Sequence, residues 1–287
     1  MGSLREIKDR IGSVKSTLKI TSAMKLVASS KLRKAQKAIE GLRPYEETLN
    51  EVLLSLGGER GFSLKREQEG DKPRNEKVAV VAISSNSSLC GGFNVNVFKK
   101  AATVVDGCGE VEVHSLGRKM AEAMRKKGFP SPADYTGLIA RPSYEKVTAL
   151  AGSLSERYMN GELSKVILVY NHFVSNSTQV PVAETYLPFE TVVAKGDAAV
   201  SADADDYIVE PSPEEVVRTL LPQVLMLKFY AAILDSAAAE HAARTIAMQT
   251  ATDNAEDLLG ELTLEYNKGR QQKITAEILD LLGGSAE

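Results

Sequence analysis

The chain has 287 residues, 43% of them hydrophobic, with a formal net charge of −3 and two cysteines. That suffices for one large domain or two smaller units with a real core. It offers no overall charge argument for nucleic acid, no uninterrupted apolar run reaches the length of about 18 residues that a membrane span needs, and Cys90 and Cys108 fit a reducing compartment.

The first element is a helical run over 1–56, with no proline before Pro44. Leu4, Ile7, Ile11, Val14 and Leu18 step by three and four, which is a coiled-coil seam. Past Leu18 the stripe widens through Ile20, Ala23, Met24, Val27 and Ala28 and loses its strict spacing, then continues through Leu32, Ala35 and Ile39. The same segment is basic, with eleven Lys or Arg against three acids over 1–43. A solvated face, an acidic protein partner and nucleic acid all fit that charge.

Residues 57–76 are polar and contain glycine, and read as a linker loop. A central α/β domain over 77–210 follows. Val78–Ile83 is a buried-type strand, Val95–Val105 a helix, Val111–Ser115 a strand and Arg118–Lys127 a basic helix ended by Gly128. Tyr144–Tyr158 reads as a helix, Lys165–Phe173 as a strand, Val180–Leu187 as extended and Tyr207–Val209 as a short edge strand. The stretch 197–215 carries seven acids and no base.

The region 211–287 is the second long helical run. Pro222 suits its first turn, where a missing amide costs nothing. An apolar start (Val224–Leu234) leads into an alanine-rich part (Ala237, Ala238, Ala239, Ala242, Ala243) that permits close helix approach. At about 1.5 Å per residue the two runs would be roughly 80 and 90 Å long. The cheapest arrangement folds them antiparallel against each other, with the α/β domain between their connected ends.

Chemistry is thin. The loop after the first strand holds Gly91 and Gly92 without a dinucleotide or phosphate-loop spacing. His114, His172 and His241 are far apart, and Asp203, Asp205 and Asp206 lack calcium-loop spacing. Cys90 has no identifiable base. No catalytic, cofactor-binding or metal-binding set is expected.

The ends carry a specific pattern. Ile7–Lys37 (IKDRIGSVKSTLKITSAMKLVASSKLRKAQK), Ala251-Thr252-Asp253-Asn254-Ala255, Tyr266-Asn267, Arg270-Gln271 and Ile274-Thr275-Ala276-Glu277-Ile278 resemble the two end helices of the gamma subunit of F-type ATP synthase. Leu89-Cys90-Gly91-Gly92-Phe93-Asn94 and Tyr170-Asn171-His172-Phe173 are similar to landmarks of that family's middle domain. The resemblance implies a long antiparallel coiled coil of N- and C-terminal helices with a central Rossmann-like α/β domain. It implies a non-catalytic rotor shaft, with alpha and beta subunits of the catalytic head, an epsilon subunit and a membrane c-ring as partners. It implies no nucleic acid, no direct nucleotide binding and no cofactor, and a peripheral place on the cytoplasmic side of a bacterial inner membrane. Met24, Lys25, Arg270, Gln271, Thr275 and Glu277 match positions that contact beta subunits, with Met24 and Lys25 facing the same region as the C-terminal set. Lys8, Arg10 and Lys15 would lie deeper in the head. Ser85-Asn86-Ser87-Ser88 departs from the family pattern of an acid, a base and glycine, and Gly283-Gly284 stands where Gly-Ala is usual. The alternatives are a coiled-coil scaffold that binds nucleic acid or another protein, and an enzyme built on the middle domain.

Overall fold

The computed structural model describes residues 3–57, 63–64, 76–190, 209–210 and 212–283. In chain order its elements are α1 (Leu4–Gly57), β1 (Ser63–Leu64), β2 (Val78–Ile83), α2 (Phe93–Asp106), β3 (Val111–Leu116), α3 (Arg118–Lys126), α4 (Thr136–Ala140), α5 (Tyr144–Met159), β4 (Lys165–Phe173), β5 (Gln179–Leu187), β6 (Phe189–Glu190) and α6 (Pro213–Gly283). Two compact units emerge. One comprises residues 1–30 and 244–287, the other residues 31–243.

The larger unit is built on a four-stranded sheet of order β3-β2-β4-β5. β3, β2 and β4 are parallel, and β5 runs antiparallel at the edge. Parallel neighbours need crossovers, and helices supply them: α2 joins β2 to β3, and α3, α4 and α5 intervene before β4. The central strand β2 is buried on both faces, which explains its continuous run of Val, Ala and Ile. Val80 and Ala82 pack with Val97, Ala101, Met120 and Met124 of α2 and α3. Ala79, Val81 and Ile83 belong to the opposite core, shared with Val147, Ala151 and Leu154 of α5, Leu49 and Leu53 of α1, and Leu225, Phe229 and Ile233 of α6. Phe229 meets Tyr186 of β5 edge-on, with ring centroids 5.4 Å apart. The alanines do what their size allows: Ala238 and Ala242 sit fully buried against Leu32 and Ala35 of α1.

One reading changes. Pro222 lies inside α6, which begins at Pro213. The packing of Val217, Leu221, Val224 and Leu225 carries the helix through the proline despite the lost amide. By composition α6 also holds an 18-residue window apolar enough for a span, with mean hydropathy 1.4 and 44% of it buried inside the protein. Of its apolar residues, Leu225, Phe229 and Ile233 pack in the core shared with β2. The short α4 and the β1–β6 pair, antiparallel through Ser63–Glu190 and Leu64–Phe189, had no signal in the sequence. Most of the linker 57–76 and of the acidic stretch 197–215 falls outside the described residues, as do Tyr207 and Ile208 of the expected edge strand; Val209 is in no strand.

Candidate functional site

In the smaller unit α1 and α6 pair antiparallel. As α1 advances through Leu4, Thr21 and Lys25, its partner recedes through Gly269, Thr252 and Gln249. The start of α1 is held by a reciprocal cap: Ser3 N–H donates to Glu6 Oε2 at 2.8 Å, and Glu6 N–H to Ser3 Oγ at 3.3 Å. Leu4 then seats on Gly269, where a methyl group would come within 3.0 Å of Leu4 Cδ2.

The seam does not blur after Leu18. It runs on at the same spacing through Thr21, Lys25 and Ala28, all buried or half-buried. What broke the pattern in the sequence is polarity. The Thr252 hydroxyl donates to Thr21 Oγ1 at 2.9 Å, and both side chains are buried. Lys25 Nζ donates to Gln249 Oε1, and Gln249 Nε2 donates to Asp253 Oδ1 at 2.6 Å. On α6 the matching seam is Thr245, Met248, Thr252, Ala255, Leu259, Leu262, Tyr266 and Gly269.

The six expected contact residues form two groups. Met24 and Lys25 are half-buried within the paired section. Arg270, Gln271, Thr275 and Glu277 lie past Gly269, where every residue from Arg270 to Asp280 is exposed. There Thr275 Oγ1 donates to the Gln271 carbonyl at 2.9 Å, and Lys273 Nζ lies 3.8 Å from Glu277. Helical spacing puts Arg270, Lys273 and Glu277 on one stripe and Gln271, Ile274, Thr275 and Ile278 on its neighbour. The two groups do not converge: from Gln249, beside Lys25, to Arg270 is about 30 Å along α6. Apolar side chains stay uncovered near both. Ile20, Leu26 and Val27 are more than half exposed, as are Ile278 and Leu279.

In the larger unit, the loop at the carboxyl end of β2 is closed by its own side chains. Asn94 Oδ1 accepts Ser85 N–H at 3.1 Å, and Asn94 Nδ2 reaches Ser85 Oγ at 2.8 Å and Cys90 Sγ at 3.2 Å. Asn171 Nδ2 donates to the Phe93 carbonyl at 3.0 Å. In the departure segment, Asn86 Oδ1 accepts Arg118 N–H at 3.0 Å and its Nδ2 donates to the Thr136 carbonyl at 2.9 Å. Cys90 and Phe93 pack on Ala239 and Ala243 of α6. At the edge strand β3, Glu112 receives both terminal nitrogens of Arg157 at 2.9 Å and Lys77 at 2.9 Å. These bonds hold its pKa near about 2, against the opposing effect of burial. Burial lowers His114, and the adjacent Glu112 offsets part of that. On the α6 side, Asp235 bridges His172 Nδ1 at 2.6 Å and Phe173 N–H at 3.1 Å, while burial raises its pKa.

An ATP synthase family model matches residues 3–286. The chain is 47% identical to the ATP synthase gamma chain of Phocaeicola vulgatus over 99% of both chains. The chain belongs to the ATP synthase gamma chain family. It is also 42% identical to the gamma chain of Flavobacterium johnsoniae, over 99% of this chain and 98% of that one. Among solved structures it resembles a chain of the Euglena gracilis mitochondrial ATP synthase OSCP/F1/c-ring assembly, with TM-score 0.63, 18% identity, and 99% of this chain and 93% of that one covered. A chain of the Tetrahymena thermophila central stalk and c-ring gives TM-score 0.55 at 20% identity, over 81% of this chain and 99% of that one. These two likenesses concern the fold. Sequence reasoning found the family through its end motifs. It missed Thr21, Gln249 and Asn94 as structural ties, whose only signal was a polar residue at a seam or turn position.

Proposed function

We propose that this chain is the central rotor shaft of an F-type ATP synthase, coupling rotation of a membrane c-ring to ATP synthesis or hydrolysis at beta-subunit sites. It is non-catalytic by itself. Its partners are the alpha and beta subunits of the head, an epsilon subunit and the c-ring, and it sits peripherally on the cytoplasmic side of the cell membrane. Membership of the gamma chain family carries this reading.

The shaft works because it is asymmetric. Two unequal helices present a different face to each of three otherwise equivalent sites, so a rotation shifts which conformation each site favours. Contact with beta subunits is assigned to Met24 and Lys25 at one level and to Arg270, Gln271, Thr275 and Glu277 at another. The exposure of the second group, and the uncovered apolar side chains beside both, support a protein-facing surface. Arg270 and Glu277 would make charge-assisted bonds there. Lys25 spends one donor on Gln249 and keeps two.

The test is reconstitution with alpha and beta subunits. Hydrolysis that proceeds equally with and without the chain would sink the shaft reading. Arg270→Ala is expected to lower coupled ATP synthesis more than head assembly; unchanged synthesis at equal assembly rejects that residue's role.

A further inference from the structure

We propose that Thr21 and Thr252, assisted by the Lys25–Gln249 bond, are positioning residues that lock α1 and α6 into a single register. The coupling consequence drawn below rests on the shaft reading; the lock itself does not.

The alanines beside this layer specify register poorly. Ala28 on α1 and Ala255 on α6 are buried seam positions with the smallest of side chains. A knob of one methyl group fits many holes, so these two positions by themselves favour no single register. The polar layer is different because it has one geometry. Thr252 Oγ1 donates to Thr21 Oγ1 at 2.9 Å, and Thr21 Oγ1 donates in turn to the Leu18 carbonyl at 3.1 Å. Thr252 Oγ1 is also 2.8 Å from the Met248 carbonyl, so one hydroxyl hydrogen bridges the helices while the other serves a backbone carbonyl. One position along, Lys25 donates to Gln249, which is held by Asp253 at 2.6 Å.

Moving α6 by one turn would place Met248 or Ala255 opposite Thr21 and break the relay at its cross-helix link. Each hydroxyl would keep only its own backbone, since Thr252 also lies 2.8 Å from the Met248 carbonyl. A lost bond of this kind biases register by roughly five- to tenfold, and the lysine link adds to it. A single buried polar position that selects register at the expense of stability is the same device that coiled coils use with asparagine.

For a rotor, register is function. A one-turn slip moves every contact residue on α6 by about 5 Å relative to α1. Torque would then be delivered from a mixture of shaft shapes.

The experiment uses the full chain with Cys90 and Cys108 replaced by alanine and spin labels at two exposed positions well separated along the helix axis, Lys19 and Lys268. The original threonines should give one narrow distance. Thr21→Val with Thr252→Val, which keeps shape and removes both hydroxyls, should add a second population displaced by about 5 Å, while Thr21→Ser with Thr252→Ser should keep one. A single unchanged distance in the double valine variant overturns the lock. In the complex reconstituted into vesicles, the double valine variant should hydrolyse ATP normally and pump fewer ions per ATP. Normal pumping despite two registers overturns the link to coupling. Complexes that pump equally well without the chain would instead reject the shaft reading and leave the distance result standing.

Discussion

Gly117 lies directly against the carbonyl of Ser84: a Cβ at Gly117 would fall 2.3 Å from the Ser84 oxygen, and the glycine has φ +104°. The contact is forced by two bonds, one to β3 and one to α3. Ser84 N–H donates to the Leu116 carbonyl at 2.8 Å, and Ser84 Oγ accepts the Met120 N–H at 2.8 Å, capping α3 from a different strand. Backbone strain and clash therefore act together on any side chain at this turn.

Gly117→Ala is expected to cost about 3 kcal/mol or more, because the colliding atom is backbone and cannot rotate away. Urea denaturation of the full chain measures it. Ser84→Ala should cost less, about 1–2 kcal/mol, by leaving one buried N–H unpaired. A smaller loss for the glycine variant than for the serine variant would contradict this account.

Glu112→Gln should lower stability by about 1–3 kcal/mol near neutral pH by disrupting the bidentate Arg157 link and the Lys77 pair. The folded carboxyl titrates at about 2 instead of its usual 4.5, so its contribution is complete above pH 4.5 and is lost as pH falls toward about 2. His114 acts in the same direction at higher pH. Its folded pKa is depressed, so its contribution is present above the usual value of 6.5 and declines on acidification below it. Melting temperature recorded against pH should fall more steeply for the wild type than for the glutamine variant across the lower window.

Ala238→Leu or Ala242→Leu should destabilise the larger unit by about 1–3 kcal/mol, even though leucine is more hydrophobic and an excellent helix former. Both alanines are fully buried against Leu32 and Ala35, leaving no room for an isobutyl group. Thermal unfolding of the chain reads the effect. A rise in melting temperature would show that the helices can separate freely there.

Asn94→Ala should loosen the loop after β2. It removes the acceptor for Ser85 N–H and the donor to Ser85 Oγ and Cys90. Faster hydrogen exchange at Ser85 and faster thiol modification of Cys90 are expected, with the sheet amides of β2 unchanged. Equal rates at both sites would show that Asn94 does not hold the loop.

The long helices were legible because their signals are local: a three-four apolar spacing at Leu4–Leu18, an alanine-rich run and long stretches free of proline. The strands were legible because a strand buried on both faces is a continuous apolar run. The family was legible from motifs at both ends. Tertiary structure decided what depends on residues far apart in the chain. Thr21 and Lys25 look like interruptions of a seam until Thr252 and Gln249 are placed opposite them. Pro222 looks like a helix start until its neighbours are packed on the sheet. The separation of Met24 and Lys25 from the Arg270 group is set by antiparallel pairing and by where α1 begins. Periodicity reports which face of an element is apolar; only the partner determines which polar groups that face can satisfy.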